Sequence, residues 1–140
     1  MRPHISLVTL GVSDLPRARS FYERLGFTAS AASQPTVAFF QVGALVLSLY
    51  GRDALAEDAC VAPTQPGFSG VTLACNLASE EAVDAMLAHA VACGAVLKKA
   101  GQKVFWGGYS GYFADPDGHL WEVAFNPFVP LSQDGRLTLP

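Results

Sequence analysis

Leu7–Ser13 reads LVTLGVS and Gly70–Asn76 reads GVTLACN. In each, a Val-Thr-Leu core lies in a short apolar run of strand length, and each run gives way to residues that start a helix. Val8-Thr9-Leu10 therefore recurs as Val71-Thr72-Leu73. The recurrence decides the fold, because it divides the chain into two copies of one unit.

Outward from the first copy, Ile5–Val12 forms the strand and Ser13 or Asp14 caps a helix that has Pro16 in its first turn, where a missing N–H costs little. Leu15, Ala18, Phe21, Tyr22 and Leu25 fall at helical spacing, and Gly26 stops the run. Val37–Val42 and Leu45–Tyr50 follow as strands around a tight turn, for an expected order of β-α-β-β-β. In the second copy Ser79 caps a helix with Ala82, Val83, Met86, Leu87, Ala90 and Val91 on one face, closed by Gly94. Short strands are expected around Ala95–Lys99, Ser110–Ala114 and Leu120–Phe125, the last two joined by the turn Asp115-Pro116-Asp117-Gly118. Between the copies, Gly51–Gly67 loses its periodicity and gathers charges and prolines, as a linker or exposed loop does. Setting Gly43–Leu47 against Gly118–Glu122 makes Leu47 the counterpart of Glu122. The expected division is module one at about residues 4–52, a linker at 53–67, module two at 68–127 and a C-terminal arm at 128–140.

A βαβββ unit carries its helix on one face of its sheet, so the other face must find cover; two such sheets are expected to cup a cavity in an α+β fold. Composition agrees with one domain: 140 residues, a net charge of -3, 51% hydrophobic and 15% charged residues. The few cations are scattered apart from Lys98-Lys99, which leaves no footprint for nucleic acid. No apolar stretch is long enough to cross a membrane and no leader pattern is visible, so a cytoplasmic location and no membrane partner are expected. Cys60, Cys75 and Cys93 form no C-x-x-C pair and read as buried or inert thiols. Phosphate-loop, nucleophile-elbow and dinucleotide motifs are absent from the sequence.

Two stretches carry chemistry. Glu122 lies in the last strand between Leu120 and Ala124 on one face, where a carboxylate points to a cavity rather than to a solvated edge. There it would accept a proton as a base or pair with a cationic ligand. Lys103–Tyr112 sets Phe105, Trp106, Tyr109 and Tyr112 among three glycines; it is either an aromatic plug or flat contact area for a ligand.

Val8–Leu15 with Ser20-Phe21-Tyr22 and Leu25-Gly26-Phe27, together with Gly111–Glu122, resembles the vicinal oxygen chelate superfamily of glyoxalase I, bleomycin-resistance proteins, fosfomycin-resistance enzymes and extradiol dioxygenases. The resemblance covers residues 4–127 and implies the paired-module fold. It also implies metal-ligand positions at Leu7, Leu47, Gly70 and Glu122, of which Glu122 alone offers a donor; about three are needed, so neither a metal nor another cofactor is expected. His4, His89 and His119 do not fill the gap, since His4 and His119 fall on the wrong alternation and His89 sits in a helix. Thr9 and Tyr112 are similar in position to ligand-contacting residues of fosfomycin-resistance enzymes; with Trp106, Tyr109 and Glu122 they make the expected ligand-binding set. The resemblance implies a homodimer, on which the arm Pro127–Pro140 packs. Two functions follow: a metal-free binder of a small amphipathic molecule, or a glyoxalase- or dioxygenase-type lyase, isomerase or oxygenase using a divalent metal or Glu122 as base.

Overall fold

The computed structural model describes residue 2 and residues 4–63 and 67–140; Thr64, Gln65 and Pro66, within the expected linker, lie outside the described residues. The architecture is α+β, with three helices and two open mixed sheets of three and four strands. The chain divides into two compact units, Met1–Phe68 and Ser69–Pro140.

In the first unit, β1 (Leu7–Val12) leads into α1 (Leu15–Leu25). The Asp14 side chain caps α1 by accepting from the Arg17 N–H at 3.0 Å, and Pro stands in its first turn. At the far end Gly26 takes a positive φ of 126°, while the Phe27 N–H returns to the Tyr22 carbonyl at 2.9 Å, so the last turn closes on itself. β2 (Val37–Val42) and β3 (Leu45–Gly51) complete a sheet of order β1-β3-β2, in which β1 and β3 are parallel. Phe21, Tyr22, Phe40, Ala38 and Leu49 are fully buried between α1 and the sheet, and the Tyr22 ring stands 5.7 Å from Phe27 and 6.1 Å from Phe40. Each such aromatic contributes about 1.5–3 kcal/mol through the surface it removes from water.

The expected third strand after α1 is reduced to a single bridge between Ala29 and Phe40. The segment read as featureless also starts with a helix, α2 (Arg52–Asp58). It escaped notice because it has seven residues, one buried side chain (Ala56) and a glycine at its N-cap. No periodicity accumulates over so short a run.

The second unit repeats the plan in full: β4 (Thr72–Asn76), α3 (Glu80–Cys93), β5 (Val96–Lys103), β6 (Tyr109–Ala114) and β7 (Leu120–Phe125), in the sheet order β4-β7-β6-β5. Ser79 caps α3 through the Ala82 N–H at 3.1 Å, and Gly94 ends it with a φ of 115°. β5 extends past its expected end at Lys99 to Lys103, through two register shifts against β6. Val83, Leu87 and Ala90 of α3 are buried, as are Phe113, Trp121 and Val123 of the sheet, with the Phe113 and Trp121 rings stacked at 6.1 Å.

Candidate functional site

Strand register assigns each side chain to a face. Gly111 pairs with Val123 and Phe113 with Trp121. A Cβ on Gly111 would stand 2.6 Å from Leu87 Cδ1, so these four residues face α3. Alternation turns Tyr112 and Glu122, which pair with each other, to the opposite face, where Ala74 of β4 lies beside Glu122. Both side chains are half-buried. The Tyr112 phenol and the Glu122 carboxylate stand as cross-strand neighbours, close enough for the charge to act on the phenol. Burial first, and then the charge of Glu122, hold the phenol above the ordinary tyrosine range. Lys99, opposite Tyr112 on β5, brings its Nζ to 6.0 Å from the ring centre. A carboxylate, a phenol and an ammonium thus share the face that α3 leaves uncovered.

Tyr109 is separated from this group. Three residues from Tyr112 on the same strand, it faces α3, and its phenol donates to Asp84 Oδ1 at 2.8 Å. An odd spacing in a strand reverses the face, which the grouping of Tyr109 with Glu122 overlooked. Trp106 lies in the β5–β6 hairpin, where its ring occupies the space a side chain on Gly108 would need. It is partly exposed, at the hairpin end of β6, and Phe105 at the tip is fully exposed.

Thr9 belongs to the first unit. Its Oγ1 is 2.6 Å from Ser48 Oγ on the parallel neighbour β3, away from the α1 face that Leu10, Leu47 and Leu49 cover. Ser48 is 2% exposed and went unnoticed in the sequence; its signal is a lone hydroxyl inside the apolar run LVLSLYG.

The registers also correct the correspondence between the two copies. Thr9 lies beside Ser48, and Ala74 lies beside Glu122. Thr9 and Ala74 stand at the same distance before their helix caps, Asp14 and Ser79. The counterpart of Glu122 is therefore Ser48, not Leu47, which is buried on the α1 side opposite Phe40. By the same register the counterpart of Leu7 is Thr72, not Gly70. The two hairpins differ in length, Gly43-Ala44 in one and Asp115–His119 in the other, so aligning their glycines slips the register by one residue and inverts the faces.

This set does not fit a divalent metal. Leu7 has no donor, Ser48 and Thr72 offer neutral hydroxyls, and Glu122 is the single carboxylate. Among the described residues no three His, Cys, Asp or Glu side chains are grouped to hold an ion. His119 is in the β6–β7 turn, not on a strand; its Nδ1 is 2.8 Å from Oδ2 of the buried Asp115, whose Oδ1 accepts the N–H groups of Asp117 and His119. Of the thiols, Cys93 is buried near His89 and Cys75 is half-buried, whereas Cys60 is exposed, so burial does not cover all three. Among the described residues no helix is long and apolar enough to cross a membrane.

Residues 4–123 match the model of the Glyoxalase/Bleomycin resistance protein/Dioxygenase superfamily. Among solved structures, a glyoxalase-related enzyme from Fulvimarina pelagi is 37% identical with a TM-score of 0.88, over 97% of each chain. A glyoxalase/bleomycin resistance protein/dioxygenase from Nocardioides is 27% identical, with a TM-score of 0.73 over 89% of this chain and 84% of that one. A lactoylglutathione lyase from Agrobacterium tumefaciens, at 22% identity and a TM-score of 0.67 over 89% of this chain and 95% of that one, shares the fold. No curated protein matches the chain.

Proposed function

The chain belongs to the glyoxalase/bleomycin resistance protein/dioxygenase superfamily, and from that premise we propose that it binds a small amphipathic molecule without a metal, on the sheet face that carries Glu122. The observation behind this reading is the half-buried Tyr112–Glu122 pair on a face that α3 leaves uncovered, among residues that give a metal too few donors. Glu122 is the polar anchor and Tyr112, its neighbour across the ladder, a flat contact surface beside it. Lys99 adds a cation beside the ring and Trp106 apolar contact area, while Thr9 with Ser48 is proposed as a hydroxyl contact of the first unit's own sheet. A homodimer in the cytoplasm is the proposed setting.

The test pairs elemental analysis of protein purified without chelator with a thermal-shift screen of aromatic and short-chain amphipathic compounds. The expected outcome is no stoichiometric metal, together with hits whose stabilisation is lost in Glu122→Gln and Tyr112→Phe. Stoichiometric metal lost in Glu122→Ala would overturn the reading.

A second reading is favoured by the juxtaposition of phenol and carboxylate, and by the 37% identity to a glyoxalase-related enzyme. In it Glu122 is the base of a metal-free lyase or isomerase, and Tyr112 the acid that returns the proton. Exchange of a bound ligand's C–H for deuterium, lost in Glu122→Gln, separates turnover from binding alone.

A further inference from the structure

On the other face of the second sheet a groove of about 370 Å³ runs between α3 and β5. Leu87, Ala88 and Val91 line it from the helix and Leu97, Ala100 and Gly101 from the strand, and Asp84 is its one charged lining residue. The volume is within the range of about 300–1,000 Å³ that small-molecule sites occupy. Val91 and Leu97, which face each other across the groove, remain 45% and 46% exposed and leave its apolar walls open to a ligand.

The groove has a built polar end. Asp84 Oδ1 accepts from the Tyr109 phenol at 2.8 Å, and a Cβ on Gly101 would overlap that oxygen and stand 2.7 Å from Tyr109 Cε1, so the contact depends on the glycine. The negative charge there exceeds one residue: Asp84, Glu80 and Glu81 all act on the Tyr109 phenol, and with the hydrogen bond as the first cause they raise it above its ordinary range. Of the β5 cations, Lys99 is turned to the Tyr112 ring on the opposite face, while Lys103, the register partner of Tyr109, shares the α3 face and offsets one of the three carboxylates. Strand addition at the β5 edge is discouraged by Lys98, Lys99 and Lys103, so the occupant is better matched to the groove than to the strand edge.

We propose that the α3–β5 groove binds a small amphipathic cation, an aryl- or alkylammonium, with its apolar body along Leu87, Val91 and Leu97 and its ammonium at Asp84. Complementary charge selects a cation and the apolar lining selects its body. This site is independent of the Glu122 face.

The probe is phenethylamine, titrated against the full chain by amide NMR shifts, beside phenethyl alcohol as the neutral form. Saturable shifts at Asp84, Leu97 and Gly101 are expected in the millimolar range. Asp84→Asn is expected to weaken the amine about fivefold, the worth of one exposed ion pair, and to leave the alcohol unchanged. Ala88→Phe, at an exposed helix position, is expected to block both compounds at these three residues. Equal binding of amine and alcohol would overturn the proposal, as would shifts confined to Tyr112 and Glu122. Absence of saturable binding, including a groove closed by a second copy of the chain, would overturn it as well.

Discussion

Tyr112 and Glu122 stand opposite each other in the β6–β7 ladder, on the sheet face away from α3. Burial and the Glu122 charge both favour the protonated phenol, so alkaline pH works against the open face of the second sheet. Tyr112 has a folded-state pKa above the ordinary value of about 10. Its contribution to stability is therefore whole below that value and is lost as pH rises through the folded one. Ultraviolet titration of the native protein, with Tyr112→Phe as the difference reference, is expected to show one late phenol at this site. Glu122→Gln is expected to bring it part of the way back, because burial, the first cause, remains.

Removing the Asp115 carboxylate strands several donors at once. Asp115→Ala leaves the N–H groups of Asp117 and His119 and the His119 ring without their acceptor, in a turn whose aspartate is 2% exposed. A loss of about 2–4 kcal/mol is expected in urea unfolding. A loss below about 0.5 kcal/mol would mean that water replaces the carboxylate.

The hydroxyl pair Thr9–Ser48 predicts a smaller effect. Ser48→Ala removes a buried hydroxyl, while Thr9, which is exposed, keeps access to water. The expected cost is about 1 kcal/mol, measured by the same unfolding midpoint. Ser48→Leu is expected to cost more, by overpacking a buried position.

Cys60 follows α2 with a φ of 57°, the one non-glycine with positive φ among the described residues. The Val61 N–H reaches back to Ala56 and the Cys60 N–H to Glu57, the closing pattern that Gly26 and Gly94 provide elsewhere. Cys60→Gly is expected to raise stability by about 0.5–1 kcal/mol, relief of left-handed strain exceeding the added freedom of the unfolded chain. In the native protein a thiol reagent is expected to modify Cys60 rapidly and Cys93 only on unfolding.

Much of this architecture was legible because its signals are local. A cap at Ser13 or Asp14, of which the structure uses Asp14, the cap at Ser79, Gly26 and Gly94 as stops, and β2 and β7 to the residue all followed from residue type and spacing. Glu122 was legible as a carboxylate in an apolar strand. Its partners were not. Lys99 reaches Tyr112 only through the bulged β5–β6 register, and Asp84 meets Tyr109 only once α3 is laid on the sheet. The misplaced counterpart at Leu47 shows the same limit, since the length of a hairpin loop, not the strand sequence, sets which way each residue points.

The first unit closes its outer sheet edge without a strand. The Phe39 N–H donates to Ser33 Oγ at 2.9 Å and the Ser30 N–H to the Phe39 carbonyl at 2.7 Å, where the second unit uses the whole of β5. One serine hydroxyl thus does the work of a missing ladder rung, and the duplicated halves wear differently. At Phe39 exchange of the amide proton with solvent is gated by a side-chain rotation, whereas at Tyr112, its counterpart, it must wait for a strand to lift.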